Sequence, residues 1–252
     1  MTDEPADTSE LTPEPAPTEA PTEAPYRSTI AVYSHEQRTA TLKLTRAAFD
    51  EAGCPIEVEQ IQTARPSQAG NRRNAYAAIK TALEQHVRPN DLPGLLLLED
   101  DVIPATTLGA WLAFIERTQE RPVTLYTPSF DKWYPQRLWR VARGERPATN
   151  SEIATIEPQT LRGWWGSQAV WLPTEWVEML VRDARMQAHE QNLGPWDHSL
   201  RRVIQERGAT LGVAVPNVVQ HREERNLVTP AKRPSKSASF TPSAPAPATE
   251  SR

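Results

Sequence analysis

Gly94-Leu95-Leu96-Leu97-Leu98-Glu99-Asp100-Asp101-Val102-Ile103-Pro104 is an apolar run that ends in three consecutive acids. Entered from Pro93-Gly94, it reads as a strand buried on both faces, because a strand with one wet face would alternate apolar and polar residues. Strand geometry sends Glu99 and Asp101 to one side and Asp100 to the other, at the carboxyl edge where open α/β sheets bind ligands. Carboxylates converging from one backbone segment repel one another unless a cation neutralises them. The run therefore predicts a hard divalent metal, Mg²⁺ or Mn²⁺, shared with a phosphorylated ligand. The plainer alternative is that the acids cap a helix beginning near Pro104, whose amino end favours negative charge.

Outward from this strand, the chain alternates between two periodicities. Ser28 to Tyr33 is a β-branched, apolar first strand, followed by a loop and cap at Ser34-His35-Glu36-Gln37-Arg38 and a helix to about Asp50. Ile56 to Ile61 alternates as a second strand, and Tyr76, Ile79 and Leu83 mark a helix over Asn71 to His86. Past the acids, Leu108, Trp111, Leu112 and Ile115 mark another helix, then Val123 to Tyr126 a strand. Such alternation implies right-handed crossovers and a mostly parallel central sheet flanked by helices. From Thr127 to Pro158 the sequence is irregular and rich in Trp, Arg, Pro and Tyr, with a short strand expected around Leu138 to Val141. Order returns with a strand at Gln168 to Leu172, a helix from Pro173, and a helix through Leu200, Val203 and Ile204 closed by Gly208. Thr210 to Val215 and Asn217 to Val219 are the last strand candidates, leading to His221.

Composition bounds the rest. The chain has 252 residues, 38% of them hydrophobic, enough for one substantial core. Residues 1–26 form a Pro, Glu, Thr and Ala leader without a basic residue before Tyr26, which lacks the charged start and apolar centre of a secretion signal. Residues 223–252 are rich in Pro, Ser, Ala and Lys. Neither end buries enough apolar surface to offset the entropy of ordering, so both are expected to be disordered, leaving one domain at 27–222. The net charge of −4 is concentrated in the leader and excludes no partner. The single cysteine, Cys54, rules out an internal disulfide, argues against zinc-thiolate chemistry and is expected in the core. No apolar stretch approaches the ~18 residues of a membrane span, so a soluble, cytoplasmic protein without a membrane partner is expected.

Several signals fall in one order: Tyr33-Ser34-His35 at a strand end, Asn71-Arg72-Arg73-Asn74, Glu99-Asp100-Asp101, Gly163-Trp164-Trp165-Gly166-Ser167-Gln168, Trp196-Asp197-His198, then Pro216 and His221. That order resembles the GT-A fold glycosyltransferases from about Ser28 to His221. It departs from their Asp-x-Asp motif by having Glu99 at the first position. The resemblance implies a single GT-A-like, Rossmann-like α/β domain, a nucleotide-sugar donor with a UDP-sugar first among them, and Mn²⁺ or Mg²⁺.

Breaking the anomeric bond of such a donor builds negative charge on a diphosphate, which a divalent cation stabilises. Asp101 is the preferred direct ligand, Glu99 binds through water or holds the ribose, and Asp100 joins them at the donor. By the resemblance, His221 returns to the metal from the far end of the chain as a neutral imidazole, where the ordinary role is a hydrogen-bonded strand end. Arg72, Arg73 and Asn74 open a helix that suits phosphate or a pyrimidine edge, with a solvated basic face as the alternative. Tyr33 and His35 are placed to flank the base, Tyr33 equally to join the core. Asp197 is the candidate general base that the resemblance implies for inverting members, against an N-cap role. Trp165 and its neighbour Trp164 invite sugar stacking, although core packing explains most of the eight Trp; Gly166, Ser167 and Gln168 would offer donors to the sugar.

The reading is thus a metal-dependent glycosyltransferase acting on a hydroxyl acceptor, either a glycan or, in a phage-type enzyme, a hydroxylated or hydroxymethylated DNA base. For DNA, Arg137, Arg140, Arg143 and Arg146, interleaved with Trp133, Tyr134 and Trp139, and the Lys232 to Lys236 tail would grip the backbone. A Mg²⁺-dependent nucleotidyl or phosphoryl transferase and a non-catalytic sugar or nucleic-acid binding module are the competitors. The first is weakened by the lack of a Walker A sequence.

Overall fold

A computed structural model describes residues 26–127, 152–161, 164, 168–222, 240, 242–243 and 246. The elements are β1 (Thr29–His35), α1 (Thr39–Glu51), β2 (Val58–Gln62), α2 (Gln68–Ala82), β3 (Gly94–Glu99), β4 (Val102–Pro104), α3 (Leu108–Thr118), β5 (Val123–Thr124) and β6 (Glu152–Ile156). They continue with β7 (Ala169–Pro173), α4 (Thr174–Arg182), α5 (Ala184–Gln187), α6 (Trp196–Glu206), β8 (Leu211–Val215) and β9 (Val219–His221). A seven-stranded sheet has the order β2-β1-β3-β7-β5-β8-β6. Strands β2, β1, β3, β5 and β8 run one way; β7 and β6 oppose them, so the sheet is mixed but mostly parallel.

The leucine run is central because nothing in it tolerates water. Leu95 and Leu97 join one core with α2, α4 and α6, while Leu96 and Leu98 join a second with α1 and α3. All four are fully buried. The sheet is therefore sandwiched between two helical layers, as a run without polar alternation requires. Gly94 opens the strand where an added Cβ would lie 2.5 Å from the Leu172 carbonyl of the neighbouring β7. Trp111, Trp171 and Trp196 are fully buried and Cys54 lies in the second core, in accord with core roles.

Two local expectations change. The chain turns after Glu99 into β4, and α3 starts only at Leu108 with Thr107 at its N-cap position, so the acids lead into a strand and not into a helix. The last strand lies at Val219–His221 rather than Asn217–Val219, and it pairs antiparallel with β4 in the register Val102↔His221. Beyond 222, Phe240 and Ala246 pack against the second core, and Thr106 donates to the Pro242 carbonyl from its N–H (2.8 Å) and hydroxyl (3.0 Å). Tyr26, placed in the leader, packs there too. The short strand expected near Leu138 to Val141 lies outside the described residues. Among the described residues, no helix is long and apolar enough to cross a membrane.

Candidate active site

The parallel register β1·β3 sets Tyr33 beside Glu99, and the β4·β9 ribbon sets His221 beside the turn that carries Asp101. The Arg222 N–H donates to the Asp101 carbonyl at 2.6 Å and fixes that approach. As a result, ligand atoms of Glu99, Asp101 and His221 lie within 4.8 Å of one another. Residues 99 and 221 are far apart in sequence and meet only because β9 returns along β4.

Each acid of the triplet has different company. Trp196 Nε1–H donates to the Tyr33 hydroxyl (2.8 Å), which donates to Glu99 Oε1 (2.9 Å). Burial first, and then the Glu99 charge, push the Tyr33 hydroxyl well above its ordinary range, so it keeps the proton it donates. Asp100 accepts from the Ser34 hydroxyl at 2.5 Å and pairs with Arg38 Nε at 3.2 Å. Burial raises its carboxyl to about 7 against the pull of Arg38, with Asp101 adding to the rise. Asp101 Oδ2 meets Arg38 Nη2 at 2.5 Å and His221 Nε2 at 3.2 Å, while Oδ1 is buried without a hydrogen-bond partner. Asp100 therefore turns towards Ser34, and Glu99 and Asp101 share the side of His221.

His221 decides whether these residues fit a metal. Its Nδ1 lies 2.5 Å from the Arg222 carbonyl, which accepts the Nδ1 proton, so Nε2 is the nitrogen that faces Asp101. That nitrogen faces a carboxylate oxygen, where imidazole and carboxylate could share one cation. Histidine ligands commonly donate their other N–H to a carbonyl in this way. With the orphaned Oδ1 of Asp101, two carboxylates and one imidazole make a donor set suited to Mn²⁺ or Mg²⁺.

Asp197 lies close enough to Glu99 for the two charges to act on each other. It is 3% exposed, accepts the His198 N–H at 3.0 Å and is pushed up to about 7, by burial first and then by the Glu99 charge. It occupies the first turn of α6 but is not its N-cap, which is Pro195.

Other expected site residues carry structural duties. Arg72 is fully buried, and its guanidinium donates to the carbonyls of Gly194, Ala188 (2.8 Å) and Glu190 (2.7 Å). These contacts hold the segment leading into Trp196 and Asp197. His35 uses both ring nitrogens, Nε2 on the Ala64 carbonyl (2.8 Å) and Nδ1 accepting the Gln37 N–H (3.1 Å), so it shapes the turn that presents Arg38. Tyr33 likewise belongs to the core and to Glu99. Asn74 donates to the Ser34 carbonyl at 2.6 Å and leaves a buried Oδ1 without a partner. Gln168 accepts the Glu99 N–H on its carbonyl at 3.0 Å, and its side-chain Oε1 is buried without a partner. Arg73 is half-buried on α2. Trp164 packs in the first core at 3% exposure, which removes its face from sugar stacking. Gly163, Trp165, Gly166, Ser167, the Arg/Trp segment and the Lys232 to Lys236 tail lie outside the described residues.

Sequence reasoning missed Arg38 and Trp196. Arg38 had a usable signal: it follows the strand whose carboxyl end neighbours the acid edge, where a cation meets unpaired carboxylates.

Gly194 sits at φ +74°, and an added Cβ would run into the His198 ring. Gly194→Ala is expected to cost about 1–3 kcal/mol and to lower the melting temperature. An unchanged melt would show that the turn relaxes freely.

No family model matches the chain. No curated protein does either. Among solved structures it is similar to the crystal structure of a glycosyltransferase involved in the glycosylation of the major capsid of PBCV-1. The identity is 12% over 73% of this chain and 81% of that one, with a TM-score of 0.44. A likeness at that level bears on neither substrate nor chemistry.

Proposed function

We propose that this protein is a metal-dependent glycosyltransferase that moves a sugar from a nucleotide-diphosphate sugar, a UDP-sugar first among them, to a hydroxyl acceptor. The observation that carries the reading is the Glu99, Asp101 and His221 cluster at the carboxyl edge of the sheet, with the buried Asp197 within electrostatic reach of Glu99. Glu99, Asp101 and His221 would hold Mn²⁺ or Mg²⁺, with the Tyr33 and Trp196 chain fixing the Glu99 carboxylate. When bound, the cation supplies Lewis-acid stabilisation of the charge that develops on the diphosphate leaving group. Asp197, raised to about 7, is matched to take the acceptor's hydroxyl proton near neutral pH. Asn74 and Gln168 each present a buried, unpartnered acceptor oxygen, which suits ribose or sugar hydroxyl donors. Trp165, Gly166, Ser167 and Arg73 are proposed to complete the donor pocket.

The test is donor hydrolysis and thermal stabilisation across UDP-, GDP- and CMP-sugars, with Mn²⁺ or EDTA, for the native chain and Asp101→Ala. Stabilisation by one nucleotide class is expected, abolished by EDTA, with Mn²⁺ affinity weakened on the order of 100-fold in the variant. No response to any donor would overturn the reading. For the acceptor, a glycan alcohol is set against single-stranded DNA bearing a hydroxymethylated base. Transfer to DNA that falls steeply with salt would assign the nucleic-acid acceptor.

A further inference from the structure

We propose that Arg38 is the resident cation of the acidic cluster, and that it exchanges Asp101 for the phosphate oxygens of the diphosphate ligand when a divalent cation enters. This rests on the metal reading above. Arg38 reaches both acids of one turn, Nε on Asp100 at 3.2 Å and Nη2 on Asp101 at 2.5 Å, with its side chain 14% exposed. It arrives from the short 3-10 turn Glu36–Arg38, which the His35 ring caps by accepting the Gln37 N–H, so its approach is built into the fold.

The oxygen that Arg38 takes is Asp101 Oδ2, the same atom His221 Nε2 faces at 3.2 Å. A divalent cation held by Asp101 and His221 would share that oxygen, and the guanidinium repels it. Entry of the metal therefore weakens the hold of Asp101 on Arg38, while Asp100 still anchors Nε. The freed fork then lies beside the metal edge, where a diphosphate brings oxygens that match its geometry bidentately. A diphosphate accordingly relieves the repulsion that metal alone creates, and each ligand favours the other. Such coupling is reciprocal by linkage.

The experiment measures two affinities on the full chain, for the native protein, Arg38→Met and Arg38→Lys. One is Mn²⁺ alone, from the free-ion spin-resonance signal; the other is inorganic pyrophosphate at saturating Mn²⁺, by calorimetry. Arg38→Met is expected to bind Mn²⁺ alone about tenfold more tightly, and pyrophosphate about tenfold more weakly, than the native protein. Arg38→Lys keeps the charge without the fork and is expected to change both in the same directions by less, and it serves if the Met variant does not fold. A purely structural role would weaken both affinities together. That result, or two unchanged affinities, would overturn the exchange and leave the metal reading standing. No Mn²⁺ uptake by any of the three proteins would overturn the metal reading and the exchange with it.

Discussion

Asp197→Asn is expected to lower kcat by roughly 10²–10⁴ while making the fold more stable at neutral and alkaline pH. The activity loss follows from removing the proposed base and keeping the shape, so KM for the donor should change little. Wild-type turnover should rise with pH and level off above about 7, as the buried carboxyl loses its proton. The stability effect has a definite sign. The folded value is raised from 3.8 to about 7, so the stability carried by the protonated carboxyl is complete below 3.8 and is lost as pH rises through about 7. Asn carries no such loss. The gain should be near zero at pH 4 and grow to a few kcal/mol, ~4 at most, by pH 8. Melting curves in EDTA at several pH values check this. A melting-temperature difference that is the same at pH 4.5 and pH 8 would mean that Asp197 does not carry buried charge.

Arg72→Met is expected to have the second largest effect, a loss of about 2–4 kcal/mol together with reduced turnover. The fully buried guanidinium serves the carbonyls of Ala188, Glu190 and Gly194, all in the segment before α6. Charge-assisted bonds of this kind contribute about 1.5–3 kcal/mol each, and removing the charge returns part of its own burial cost, so the net loss is smaller than the sum. What remains uncompensated is three carbonyls without a donor. Because that segment delivers Trp196 and Asp197, the variant should disturb the chain through Tyr33 to Glu99 as well. Urea melts paired with kinetics test it. Unchanged stability would mean that water replaces the guanidinium at no cost.

The contrast between Arg72 and Arg38 explains how far the site was legible. Arg72 lies within α2 and Arg38 between β1 and α1, and only Arg72 was expected to meet an anion. Sequence pattern gives the element but not which of its polar faces turns inward, and that depends on what packs above it. Arg72 is covered by the segment at 188–194, which the chain reaches more than a hundred residues later, whereas Arg38 meets acids on a neighbouring strand.

The sequence by itself determined the leucine strand, its burial on both faces, the helical layers and the mostly parallel sheet, because hydrophobic periodicity is a local property tied to backbone geometry. It also placed the acids at the carboxyl edge, although the strand ends at Glu99 and Asp101 reaches the His221 side from the turn that follows. Only the tertiary structure decided that His221 returns beside Asp101 along the β4·β9 ribbon, that Arg38 occupies the acids, and that Tyr33 and His35 serve the scaffold. These outcomes depend on pairings between residues distant in sequence. Burial then sets the electrostatics: the same carboxylic acid that would ionise freely on a surface is pushed to about 7 at Asp197 because folding removes its water.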